Sequence, residues 1–204
     1  ITAELDIIVR TNLLEYLNRG DNLFLTQNRI KTNLQIQQAF PIESDIFSII
    51  KDYGFSIEEN LVTDKLCGRV NVQQQMGPIR MNVPMEYPLL PIVRSFNSDE
   101  SIVAGLEQMQ LVFASEIKQD SSIIGNVNFV PLLFSSDQSG EMRGNYNLNP
   151  DPKTNPVFSQ LNQPSKVVGA RVLIADAATG SEANIVLVSD SKLFADQGGG
   201  SSPE

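Results

Sequence analysis

Apolar positions along the chain change period several times, and each change predicts an element. Val9, Leu13, Tyr16 and Leu17 recur at helical spacing, and Gly20 follows where a helix terminus takes positive φ. A helix is expected to end there. Leu23, Phe24 and Leu25 form a short apolar run between polar clusters, which predicts a buried strand. Ser44 or Asp45 caps a second expected helix with Ile46, Ile49, Ile50 and Tyr53 on one face, closed by Gly54 and followed by a strand over 55–62. Two successive helix, Gly, strand units predict an α/β layer architecture: a mainly parallel sheet flanked by helices, with a β-rich or irregular insertion.

That insertion is expected over residues 64–97, where the periodicity fades. Pro78, Pro84, Pro88 and Pro91 block a continuous helix or a central strand there, leaving extended or irregular structure. Ser98 with Asp99 and Glu100 opens a short predicted helix through Leu106, and 111–114 is predicted as a strand. Another strand is expected over 127–134. The polar, Asn-, Gly- and Pro-rich segment 137–163 predicts a long loop that forms a hairpin or a lid. Residues 166–175 and 184–188 are the last predicted strands, joined by a turn of small and polar residues over 176–182.

Composition narrows what such a fold does. With 204 residues, 41% hydrophobic and 19% charged, the chain is expected to form one domain over 1–197, with 198–204 as a flexible tail. A net charge of −9 repels nucleic-acid backbones and anionic membrane surfaces, and no apolar stretch approaches the roughly 20 residues of a membrane-spanning helix. Histidine is absent and Cys67 is the single cysteine. The Ser-His and Cys-His nucleophile pairs are therefore excluded, as is an internal disulfide. No cofactor and no intrinsic metal are expected. The start at Ile1 and the stop in GGGSSPE suggest a piece of a longer protein.

Polar residues just past the carboxyl ends of strands line the ligand crevice of an open parallel sheet. Asn28, Asp64, Ser135, Ser136, Ser189 and Asp190 occupy such places and are the candidate ligand-binding residues. Two readings stand side by side. The same residue types accept hydrogen bonds from free backbone amides at turns and helix starts, and Ser189-Asp190-Ser191 is placed to cap a helix beginning at Lys192. Cys67 has no strongly positive neighbour to lower its pKa, so a packed thiol is expected.

The phrases LLEYLNRGDNLFLTQN, SDIFSIIKDYGFSIEENLVTD, YPLLPIVRSFNSDESIVAGL, PLLFSSDQS and NIVLVSDSKLFAD occur in this order. Together they resemble the auxiliary component of ABC-type transport systems, the gliding-motility-associated GldG-like family. The resemblance implies a flavodoxin-like or class I glutamine amidotransferase-like fold, related to a domain of intraflagellar-transport proteins. It further implies membrane-spanning helices outside this stretch, a domain on the extracytoplasmic (periplasmic) side, and ABC permease and ATPase subunits as partners. Past Phe194 the family's helix and membrane-proximal segment are not found in this sequence. The expected function is a non-catalytic auxiliary domain that binds transporter subunits or a transported ligand. The alternative is a small-molecule or glycan-binding module at the strand-end crevice, and a hydrolase or amidotransferase is the remote one.

Overall fold

The computed structural model describes residues 1–76, 78–120, 127–175 and 182–194. Its first element is α1 (Ile7–Asn18), which Asp6 caps by accepting a hydrogen bond from the Ile8 amide at 2.9 Å. Gly20, at φ 86°, turns the chain into β1 (Leu23–Thr26), as the spacing predicted. A small hairpin follows, β2 (Ile30–Asn33) with β3 (Gln38–Pro41), then α2 (Ile46–Asp52), closed by Gly54 at φ 89°.

The predicted strand over 55–62 is two strands, β4 (Phe55–Ile57) and β5 (Leu61–Asp64), because the chain turns at Asn60. Next comes a long ribbon, β6 (Cys67–Met76) with β7 (Ile79–Val93), and then the short β8 (Ser95–Phe96). Extended structure was expected here, and the prolines explain its form: in a ribbon paired along one edge, a residue without an N–H leaves no bond unmade on the other. Of the helix predicted over 98–106, a 3-10 turn at Ser101–Val103 is present, and Gly105 at φ 81° ends it.

Residues 111–114 are not a strand. They link β9 (Met109–Gln110) to β10 (Ile117–Gln119), and Phe113 takes φ 56° within that link. Their apolar character reflects burial of an irregular segment: Leu111, Phe113 and Ala114 are all in the core. β11 (Val127–Phe134), β12 (Ser139–Met142), β13 (Val167–Ala175) and β14 (Glu182–Val188) complete the described elements. The expected turn over 176–182 falls mostly outside the described residues, as do the tail at 198–204 and anything a helix beyond Lys192 would add; residues 191–194 form a turn.

The largest sheet has the order β1-β14-β13-β11-β8. β1 pairs with β14 in parallel, whereas β14, β13, β11 and β8 are joined antiparallel. The expected helix-flanked, mainly parallel α/β fold, flavodoxin-like or amidotransferase-like, is therefore overturned. The described fold is dominated by strands in mixed and antiparallel sheets, with two α-helices among the described residues. The physical reason is connectivity. A parallel sheet needs a crossover of a dozen or more residues, usually a helix, between neighbouring strands. After α2 no further α-helix is found among the described residues, so the later strands return through hairpins and loops.

Both helices serve one face of that sheet. Leu17, Ile46 and Ile50 pack with Ala170, Val172, Ile185 and Leu187 of the central strands. Opposite-facing residues of β14, Val186 and Val188, join a second core with Val103, Leu111 and Leu133. A third core lies beneath the ribbon's root and gathers Ile30, Leu61, Tyr87, Phe113, Leu148 and Phe158. Segment 137–163 packs on this third core. Its Asn residues make successive turns in which Asn147, Asn149 and Asp151 each accept from the amide two positions ahead, at 2.9–3.0 Å.

Candidate functional site

The parallel pairing of β1 with β14 places their carboxyl ends side by side, so Asn28 and the Ser189-Asp190-Ser191 run meet. They grip the irregular segment between β9 and β10. Asp190 Oδ2 accepts from the Val112 amide at 2.8 Å, and Ser189 Oγ accepts from the Ser115 amide at 2.8 Å. Asn28 Nδ2 donates to the Phe113 carbonyl at 2.8 Å, while its Oδ1 accepts from the Ser191 amide at 2.7 Å. Asp190 Oδ1 also takes the Lys192 amide at 2.8 Å, which is the capping bond expected of it, made to a turn. Burial pushes the Asp190 carboxyl above its ordinary pKa, against the opposing hydrogen bonds from the Lys192 and Val112 amides.

Asp64, Ser135 and Ser136 form a separate group. Asp64 accepts from the Ser136 amide and hydroxyl, both at 2.6 Å, and from the Leu66 amide at 2.8 Å. Ser135 Oγ accepts from the Lys166 amide at 2.8 Å. The structure thus brings Asn28, Ser189 and Asp190 together in one place and Asp64, Ser135 and Ser136 in another. Five of the six are buried and Ser136 is half-buried. Asn28 lines a cavity of about 140 Å³ together with Lys31, Thr32, Ser191 and Lys192.

Two features escaped the sequence reading. One is an ion cluster around Asn60, whose amide donates to Glu141 at 2.7 Å. Lys166 Nζ lies 3.6 Å from Glu116 and 3.7 Å from Glu141, and Arg143 Nε lies 2.9 Å from Glu141. Burial works to raise the Glu141 pKa, but hydrogen bonds from Arg143 and Asn60 and the nearby Lys166 charge hold it below its ordinary value. These residues sit far apart in sequence, and no local pattern signals them.

The other missed feature is the ribbon. Val70 pairs with Met85, Val72 with Val83 and Gln74 with Met81, so alternate residues give one apolar face. Arg69, Asn71, Asn82 and Glu86 occupy the opposite face. Ile79 is 60% exposed and Met81 49% exposed. Here a signal was present: the run from Ile79 to Met85 alternates apolar and polar residues, but the prolines drew attention away from that period of two.

Cys67 stands at the ribbon's root beside a cavity of about 370 Å³ that Lys65, Glu86 and Phe158 also line. Burial, and then the Glu86 charge, push its thiol up to about 11. At neutral pH it is held as the weakly nucleophilic thiol.

A family model described as an ABC-type uncharacterized transport system matches residues 4–203, and the chain belongs to that family of auxiliary transport components. Neither a curated protein nor a solved structure matches the chain. No helix among the described residues is long and apolar enough to cross a membrane.

Proposed function

We propose that this chain is a non-catalytic auxiliary domain on the extracytoplasmic side of the membrane, where it binds the permease or ATPase-bearing assembly of its transport system. Family membership supplies the transport context. The observation that supports a binding role is the β6–β7 ribbon, whose apolar face carries Val72, Met81, Val83 and Met85 with two of its apolar side chains, Ile79 and Met81, close to half or more exposed. A second protein that covers this face gains the burial the chain leaves unmade, about 25 cal/mol per Å² of apolar surface. A GldG-like role in gliding motility, and an anchor in membrane helices beyond residues 1–197 and the tail at 198–204, belong to the same reading.

Against enzymatic turnover stand the absence of any histidine and the high pKa of the Cys67 thiol. The full-length protein carrying Met81→Asp and Val83→Asp, affinity-purified from membranes, is expected to lose the transporter subunits that the wild type retains. Equal recovery of a permease and an ATPase with both proteins would refute the ribbon contact, and recovery of neither with the wild type would refute the transport-partner reading itself.

A further inference from the structure

Two cavities meet along one wall of the molecule. The smaller, about 140 Å³, is the polar one beside Asn28. The larger, about 480 Å³, runs under the root of the ribbon and is lined by Val70, Val72, Tyr87, Phe113, Leu148 and Pro150. Val112, Phe113 and Lys192 border both. Leu34, a large apolar side chain left 59% exposed on the β2–β3 turn, also lines the larger cavity.

Charge sorts the two ends. The chain carries 24 acidic and 15 basic residues, yet no Asp or Glu lines either cavity, while Lys31 and Lys192 both line the small one. Neither lysine has an ion-pair partner among the described residues. Asp190, the acidic residue nearest Lys192 in sequence, is 1% exposed and has both oxygens committed to backbone amides. The shared wall is held in shape. Asn28 and Asp190 clamp the segment on which Phe113 adopts φ 56°.

We propose that the two neighbouring cavities together bind a single-chain amphiphile with one small anionic head, its apolar chain along the Val72–Phe113 groove and its head between Lys31 and Lys192. The size of the larger cavity falls within the range of about 300–1,000 Å³ of small-molecule sites, and its mostly apolar lining with a few convergent polar groups fits that class. The groove also carries the side-chain amides of Gln37, Asn71, Gln73 and Gln110, so the lysines at its polar end, rather than a lack of hydrogen-bonding groups, favour an anionic amphiphile over a neutral sugar. The groove shares Val72 with the ribbon face read as a partner contact, but direct ligand titration reads it separately from the recovery of transporter subunits.

Laurate, kept below its micelle-forming concentration, tests this by calorimetric titration against the chain, with dodecanol and phosphatidylglycerol vesicles as the other probes. Saturable one-to-one laurate binding is expected. It should weaken by about tenfold when Lys31→Gln and Lys192→Gln are combined, as for loss of hydrogen bonds to a charged group. Val72→Asp, at a residue outside all three cores, should abolish binding while thermal unfolding stays unchanged. Equal affinity for dodecanol, unchanged affinity in the lysine variant, or no saturation would overturn the proposal. Binding to vesicles without binding to monomeric laurate would overturn it in favour of a membrane surface.

Discussion

At the carboxyl ends of β1, β5, β11 and β14, the polar side chains reach across to other loops and find donors or acceptors there, whereas one face of the β6–β7 ribbon presents apolar side chains beyond the body of the domain. In the first region chemistry is used up internally: Asp64 alone satisfies two amides and a hydroxyl. In the second, Ile79 and Met81 remain exposed. Buried polarity here is a structural device, and exposed apolarity is the better guide to contact. A polar residue at a strand end is evidence for a ligand only if its hydrogen bonds are left over.

The contrast is sharpest under mutation. Asp64→Ala leaves the Ser136 and Leu66 amides without their acceptor in a buried place, and is expected to cost about 3 kcal/mol in urea unfolding. A loss below about 1 kcal/mol would mean that water replaces the carboxylate, and the latch would then be an accessible site after all. Acid titration probes the ion cluster beside the latches. The folded pKa of Glu141 lies below that of a free glutamate, so its contribution to stability is present above the free value and lost as pH falls through the lowered one. Unfolding midpoints followed from pH 6 to pH 3 should fall less steeply in Glu141→Gln; parallel curves would assign the acid limb to other carboxylates. The smallest effect is expected on the ribbon, where Met81→Ser should change stability by less than about 0.5 kcal/mol. A larger loss would show that the apolar face already packs within the domain.

Local features were legible where local physics decides them. The ends of α1 and α2 followed from Gly20 and Gly54, both at positive φ, and β11, β13 and β14 followed from predominantly apolar runs. The strand predicted over 111–114 failed because an apolar run reports burial, not extension: clamped by Asn28, Ser189 and Asp190, that segment is buried without a ladder of its own. Strand direction was not legible either. Two helix, Gly, strand units suggested a parallel order, but β4 pairs antiparallel with β10 and stays outside the main sheet.

The sites divide in the same way. Asn28, Asp64, Ser135, Ser136, Ser189 and Asp190 were recognisable as strand-end polar residues, and capping was one of the two roles read for them. Which backbone groups they hold was not, since Asn28 meets Phe113 across 85 positions. The ribbon's alternation was present in the sequence, though not the exposure of Ile79 and Met81 on it.

By itself, then, the sequence determined the two helices, the strands β1, β11, β13 and β14, the absence of histidine and, through its ordered phrases, the transport family. Each of these rests on short-range periodicity, on residue type or on similarity along the chain. Tertiary structure alone decided the mixed order of the main sheet, the partners of the buried polar groups, the ion cluster around Asn60 and the two neighbouring cavities that share Val112, Phe113 and Lys192. All of these depend on contacts between residues distant in the chain, whose pairing is settled by the competition to bury apolar surface while leaving no buried polar group unbonded.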